Sequence, residues 1–178
     1  MKKITIIAIA LFGLLLFNGC KKDNNASNVA VRLKDAPANW DKVNLEIKGV
    51  QLRGSSGEWI TVPMNTRVID ILQLRDSSVL LGNVHMPVGT ISEIKLMVGT
   101  QNTITIGNLT FTISIDLADE DDLVLQVHET VGASGTFVLV VDLDAANSVL
   151  DDGDGQHFHL KAHLSEKSHH NEHDMDND

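Results

Sequence analysis

The chain has 178 residues and a formal net charge of −10. That length gives one domain with its own core, and that charge argues against a nucleic-acid partner, whose phosphates would repel it. Cys20 is the only cysteine, so no disulfide can form within the chain and the fold has to rest on packing. There is no Tyr, and Trp40 and Trp59 are the only tryptophans, which leaves little material for aromatic sugar platforms.

The N-terminus carries Lys2 and Lys3, then an apolar run from Ile4 to Phe17 broken only by Thr5 and Gly13. As a helix that run spans about 21 Å, short of the ~30 Å hydrocarbon core of a bilayer. It therefore reads as a signal peptide over residues 1–19 and not as a membrane span. Asn18-Gly19-Cys20 resembles a bacterial lipoprotein cleavage box, which makes Cys20 the expected lipidation site and first mature residue. Acyl chains, at ~0.8 kcal/mol per buried methylene, would anchor the protein to a membrane. Residues 20–28 are polar and aperiodic and read as a lipidated tether. Lys21-Lys22-Asp23 resembles the surface-export signal of Bacteroidetes-type lipoproteins, so both the periplasmic and the surface face of an outer membrane stay open. Losing Lys2 and Lys3 leaves 12 basic against 24 acidic residues, a mature charge of −12.

Residues 29–164 read as one β-rich domain. Val29, Val31 and Leu33 alternate with polar neighbours, the period of a half-buried strand. Asp35-Ala36-Pro37 ends it, with the Asp35 side chain expected to cap the turn. Val43, Leu45 and Ile47 resume the alternation, and the phase slips at Lys48-Gly49, the mark of a β-bulge. Gly54-Ser55-Ser56-Gly57 predicts a hairpin loop into a strand at Trp59–Val62. Val68–Leu74 fits either a strand or a short helix. Ile94, Leu96 and Val98 alternate, and Gly107-Asn108 predicts a tight turn between strands at Thr103–Ile106 and Leu109–Ile115. Asp119–Asp122 is an acidic loop, Leu123–Val127 a strand, and Phe137–Val141 a continuous apolar run that suits a central strand. Asp144–Leu150 fits one or two helical turns, and Asp142 and Asp144 are placed either to pair with Lys or Arg or to cap that helix. Phe158, Leu160, Ala162 and Leu164 alternate as the last strand. Eight or nine short strands with regular turn signals predict an all-β, antiparallel β-sandwich of Greek-key, Ig-like or transthyretin-like kind, with a closed β-barrel as the alternative. Residues 165–178, acidic and His-rich, read as a disordered tail.

Five ordered segments resemble one family: Val31–Pro37, Val43–Val50, Asp70–Leu74, Gly89–Leu96, and Val141–Val149 followed by His159-Leu160-Lys161. They are similar to the bacterial lipoprotein family catalogued as domain of unknown function 4382. The resemblance implies a β-rich extracytoplasmic domain and carries no agreed activity. This chain departs from the family pattern with Ile91 in place of Tyr and Ala162 in place of Pro.

Two clusters can carry chemistry. His157, His159 and His163 fall on one face of the last predicted strand, about 6–7 Å apart, and His169, His170 and His173 follow in the tail. Imidazoles so spaced can hold a divalent metal such as Zn, Ni or Cu. Asp151, Asp152 and Asp154 sit among glycines on a loop, a weak match to a calcium site that lacks the distal Glu. No G-x-S-x-G, P-loop or H-E-x-x-H occurs, so no catalytic residue is assigned and a non-enzyme is expected. These features predict a lipid-anchored envelope protein with a non-enzymatic binding or structural module. Its partners would be the membrane and an envelope protein or glycan; the alternative is a metal-binding lipoprotein.

Overall fold

The computed structural model describes residues 26–115, 123–133, 135–161 and 163–171, the last five through their backbone. The expected signal peptide, Cys20, the acidic stretch Asp119–Asp122 and His173 lie outside the described residues. The strands run in chain order as β1 (Ala26–Ala36), β2 (Lys42–Gly54), β3 (Trp59–Val62), β4 (Arg67–Asp70), β5 (Val79–Pro87), β6 (Gly89–Val98) and β7 (Thr103–Ile106). They continue as β8 (Leu109–Ser114), β9 (Val124–Val131), β10 (Thr136–Asp144), β11 (Val149–Asp151), β12 (Phe158–Leu160) and β13 (Leu164–Asn171). A 3₁₀ turn (Ile71–Leu74) follows β4, and a single-turn helix α1 (Ala145–Ser148) separates β10 from β11. No helix among the described residues is long and apolar enough to cross a membrane.

These strands form two sheets. One has the order β13-β10-β1-β5; the other runs β11-β12-β8-β7-β2-β6-β9, with β3 and β4 also on β2. The inward faces meet in one core. Leu33, Leu139 and Leu143 from the small sheet and Leu45, Ile47, Leu52, Ile94, Leu96 and Ile104 from the large one are at most 1% exposed. Each such side chain contributes about 1.5–3 kcal/mol by leaving water. Both sheets keep free edges among the described residues, so the architecture is the sandwich and not the closed barrel. It is mixed and not purely antiparallel: β1 pairs with β10, and β12 with β8, in parallel.

The phase slip at Lys48-Gly49 is a bulge, where the β2–β6 register jumps between Ile47 and Gly49. Val68–Leu74 resolves its ambiguity by being both, a strand edge and then a 3₁₀ turn whose Ile71, Leu72 and Leu74 plug the end of the core. On one flank the two sheets come so close that a Cβ on Gly82 of β5 would lie 2.4 Å from the Pro63 carbonyl oxygen.

Three expectations change. The tether is shorter than residues 20–28, because Ala26–Asn28 already pair with His85–Pro87. The predicted last strand is two strands in different sheets. The chain leaves β12 after Leu160 and crosses to β13, held by Lys161 N–H to the Ser148 carbonyl (2.8 Å) and His163 N–H to Ser148 Oγ (2.8 Å). Residues 165–171, expected to be disordered, pair antiparallel with β10 from Ser165↔Asp142 to Asn171↔Phe137. Their composition cannot build a core, but β10 offered an open row of backbone donors and acceptors, and pairing there requires no apolar side chain.

Candidate functional site

The crossing from β12 to β13 separates the histidines that were expected on one strand face. His157 lies in the loop before β12, His159 within it, and His163 in the link beyond. His157 Nδ1 sits 2.5 Å from Asp154 Oδ2, and His159 Nδ1 sits 2.8 Å from Asp152 Oδ1. The backbones of His169 and His170 pair with Leu139 and Val138 of β10. Among the described residues no three His, Cys, Asp or Glu side chains converge as a metal ion requires.

The acidic loop caps itself. Asp151 Oδ1 accepts the amides of Gly153 (2.8 Å) and Gly155 (3.0 Å), and Asp154 Oδ1 those of Gln156 and His157 (both 2.9 Å). These are Asx turns, in which a short carboxylate replaces a backbone acceptor. The amide of Gln156 and then the His157 side chain hold the Asp154 carboxyl down at about 2. Asp154 in turn raises His157 above the usual imidazole range.

A second construction sits on the outer face of the large sheet. β7 and β6 share one side of β2, pairing with Lys42–Asn44 and with Ile47–Gly54. Residues 99–102 bridge the gap between them, and Glu46 of β2 pins that bridge. Gly99 N–H donates to the Glu46 carbonyl (2.7 Å), and the amides of Thr100 and Gln101 donate to Glu46 Oε2 (2.8 and 3.0 Å). Asn102, with no exposed surface, closes the set: its Oδ1 accepts Glu46 N–H (2.9 Å) and its Nδ2 donates to the Gly99 carbonyl (2.7 Å). A Cβ on Gly99 would lie 2.0 Å from Glu46 Oε2, so a larger residue there would push the Glu46 carboxylate off the bridge.

Beside this bridge lies a shallow cleft of about 280 Å³ lined by Asn44, Val68, Thr100, Gln101, Thr103 and Thr112. It shares Thr100, Asn102 and Thr112 with a neighbouring cleft of about 260 Å³ that reaches Lys48 and Ser114. Sequence reasoning did not single out these residues. The spacing of Thr103 and Thr105 against Thr110 and Thr112 in the hairpin was the available signal, because it puts four hydroxyls on the solvent face.

Asp35 is the other residue whose role differs from expectation. It does not cap its own turn; its Oδ1 accepts the amide of Ala145, the first residue of α1, at 3.0 Å. The cap of α1 is Asp144, whose Oδ1 accepts Asn147 N–H (3.1 Å). Asp35 is 1% exposed, and its Oδ2 is buried with no hydrogen bond among the described residues. Burial raises its carboxyl to about 7; Asp142 and Asp144 push the same way, against the Ala145 amide and Arg75.

The fold and this geometry define a two-sheet, mixed β-sandwich with a pinned polar bridge on its larger sheet and a self-capped acidic loop at its C-terminal side. The chain belongs to the family described as a domain of unknown function (DUF4382), whose model matches residues 26–162. The match starts at the first residue of β1 and ends in the link between β12 and β13. No curated protein and no solved structure matches the chain.

Proposed function

We propose that the protein is a lipid-anchored component of a bacterial cell envelope, and that its β-sandwich is a non-catalytic binding or structural module. The observation that carries this is the single cysteine, Cys20, placed directly after a basic, apolar, small-residue export signal. The spacing supports it. Six residue steps separate Cys20 from Ala26, the start of β1, a reach of about 20 Å at full extension. A lipid on Cys20 would hold the sandwich close against the membrane. The non-catalytic reading is supported by where the perturbed acid sits: Asp35 faces the core beside Leu143 under α1, closed off from a substrate.

Labelling cells with radioactive palmitate tests the anchor. The wild-type chain is expected to take up label and to partition with membranes, and Cys20→Ala to lose both. Equal labelling of the two would overturn the proposal.

A further inference from the structure

The geometry points to the cleft beside residues 99–102 as a binding site for a neutral saccharide. This rests on the reading of the domain as a binding module and is independent of the lipid on Cys20.

The lining carries the argument. Thr103 and Thr112 stand side by side across the β7–β8 pair on the solvent face, and Thr100 and Gln101 rise from the pinned bridge next to them. Asn44 Nδ2 already donates to Thr103 Oγ1 at 3.1 Å, which leaves the Thr103 hydroxyl hydrogen to donate outward. The Thr112 hydroxyl makes no hydrogen bond among the described residues. Gln101 reaches Glu46 Oε1 through its Nε2 at 3.5 Å, so its amide oxygen stays available as an acceptor. Hydroxyls and carboxamides donate and accept, as sugar hydroxyls do, and none of these groups is charged. Val68, 49% exposed, adds an apolar patch for the C–H face of a ring.

The bridge is also built more rigidly than a connection needs. Six hydrogen bonds tie four residues to Glu46 and to each other. The backbone that carries Thr100 and Gln101 is thereby fixed before a ligand arrives, which lowers the ordering cost that a weak, neutral site has to meet.

The alternative occupant, an extended peptide, fits less well. β7, which carries Thr103, is paired on both sides, with β2 and with β8, so a peptide cannot add to it as a further strand. Position favours a ligand from outside: β1 carries the chain roughly 35 Å from Ala26 to Ala36 before β2 begins. The cleft beside Asn44 and Thr103 thus opens near the end of the sandwich that β1 reaches at Ala36, away from Ala26. With no aromatic platform in the lining, affinity is expected near 1 mM.

The test is an NMR titration of the ¹⁵N-labelled full chain in detergent with maltohexaose, cellohexaose and xylohexaose, and with an acetylated, amidated heptapeptide of alternating Thr and Val. At least one hexasaccharide is expected to shift the amides of Thr100–Thr103 and Thr112 saturably. Thr112→Val and Gln101→Ala should each weaken that binding about fivefold or more. Thr61→Val, on β3 outside the cleft, should leave it unchanged. The inference is overturned if no saccharide shifts these amides at about 10 mM, if the shifts lie elsewhere, if the cleft variants bind as wild type does, or if only the peptide saturates the cleft. Palmitate labelling reads the anchor separately, so either result stands without the other.

Discussion

Asp35, expected to cap the turn after the first strand, is instead a buried residue of β1 itself. Val29, Val31, Leu33 and Asp35 share a parity, so the alternation that put three apolar side chains in the core put the carboxyl there too. Its partner was not readable, because Ala145 lies 110 residues away and arrives only through the parallel β1–β10 pairing. The consequence is a pH dependence with a definite sign. The folded carboxyl, at about 7, lies above its ordinary value of 3.8. Between those values the folded state therefore holds more protons than the unfolded one, and stability falls as pH rises. At about 1.4 kcal/mol per pH unit, the loss from Asp35 between pH 4 and pH 7 is on the order of 2–4 kcal/mol. His157, raised by Asp154, drifts the same way from the surface, so the comparison has to be made against a variant. Asp35→Asn keeps an acceptor for Ala145 and cannot ionise. Urea unfolding at pH 5 and pH 8 should show the wild type losing stability relative to Asp35→Asn at the higher pH. A constant difference would remove Asp35 as the cause.

Elements were most legible where local chemistry decides them. The bulge at Gly49, the Gly107-Asn108 turn and the turn at Ala145–Ser148 each depend on a few adjacent residues, and each formed where the sequence placed it. The C-terminal strands were least legible, since Phe158 to Leu164 keeps a strand period straight through a change of sheet. Only the anchoring of Lys161 and His163 on Ser148 splits it, and that contact is long-range. β13 is the sharper case, because its polar sequence carries no burial signal and its order comes from the edge of β10. Ending the chain at Leu164 should therefore lower the melting temperature by several degrees and promote self-association through the bared edge. An unchanged melting temperature would mean that β13 adds no stability. In the bridge, Asn102→Ala removes an acceptor from Glu46 N–H and a donor from the Gly99 carbonyl. With both groups left unpaired the expected cost is about 2–4 kcal/mol, read by denaturant unfolding.

For the whole molecule, composition and turn spacing were enough to reach a β-sandwich, because a two-residue period repeated over a chain with no long helical pattern leaves few architectures. The division of strands between sheets was not reachable. β1 meets β10 across more than a hundred residues, and nothing local specifies the parallel register. The expectation that His157, His159 and His163 share one strand face depended on a single continuous strand, and the crossing at Lys161–His163 takes His163 off β12. The polar bridge held by Glu46 and Asn102 assembles from β2 and residues 99–102, about fifty positions apart, and so left only a row of threonines as its trace in the sequence. The proposed anchor is the opposite case, since it rests on a local signal around Cys20 that needs no tertiary contact. Intact-mass spectrometry of the protein purified from bacterial membranes tests it most directly. The account predicts a chain that begins at Cys20 and carries the added mass of a diacylglyceryl group and an acyl chain; an unmodified chain, or one that begins elsewhere, would contradict it.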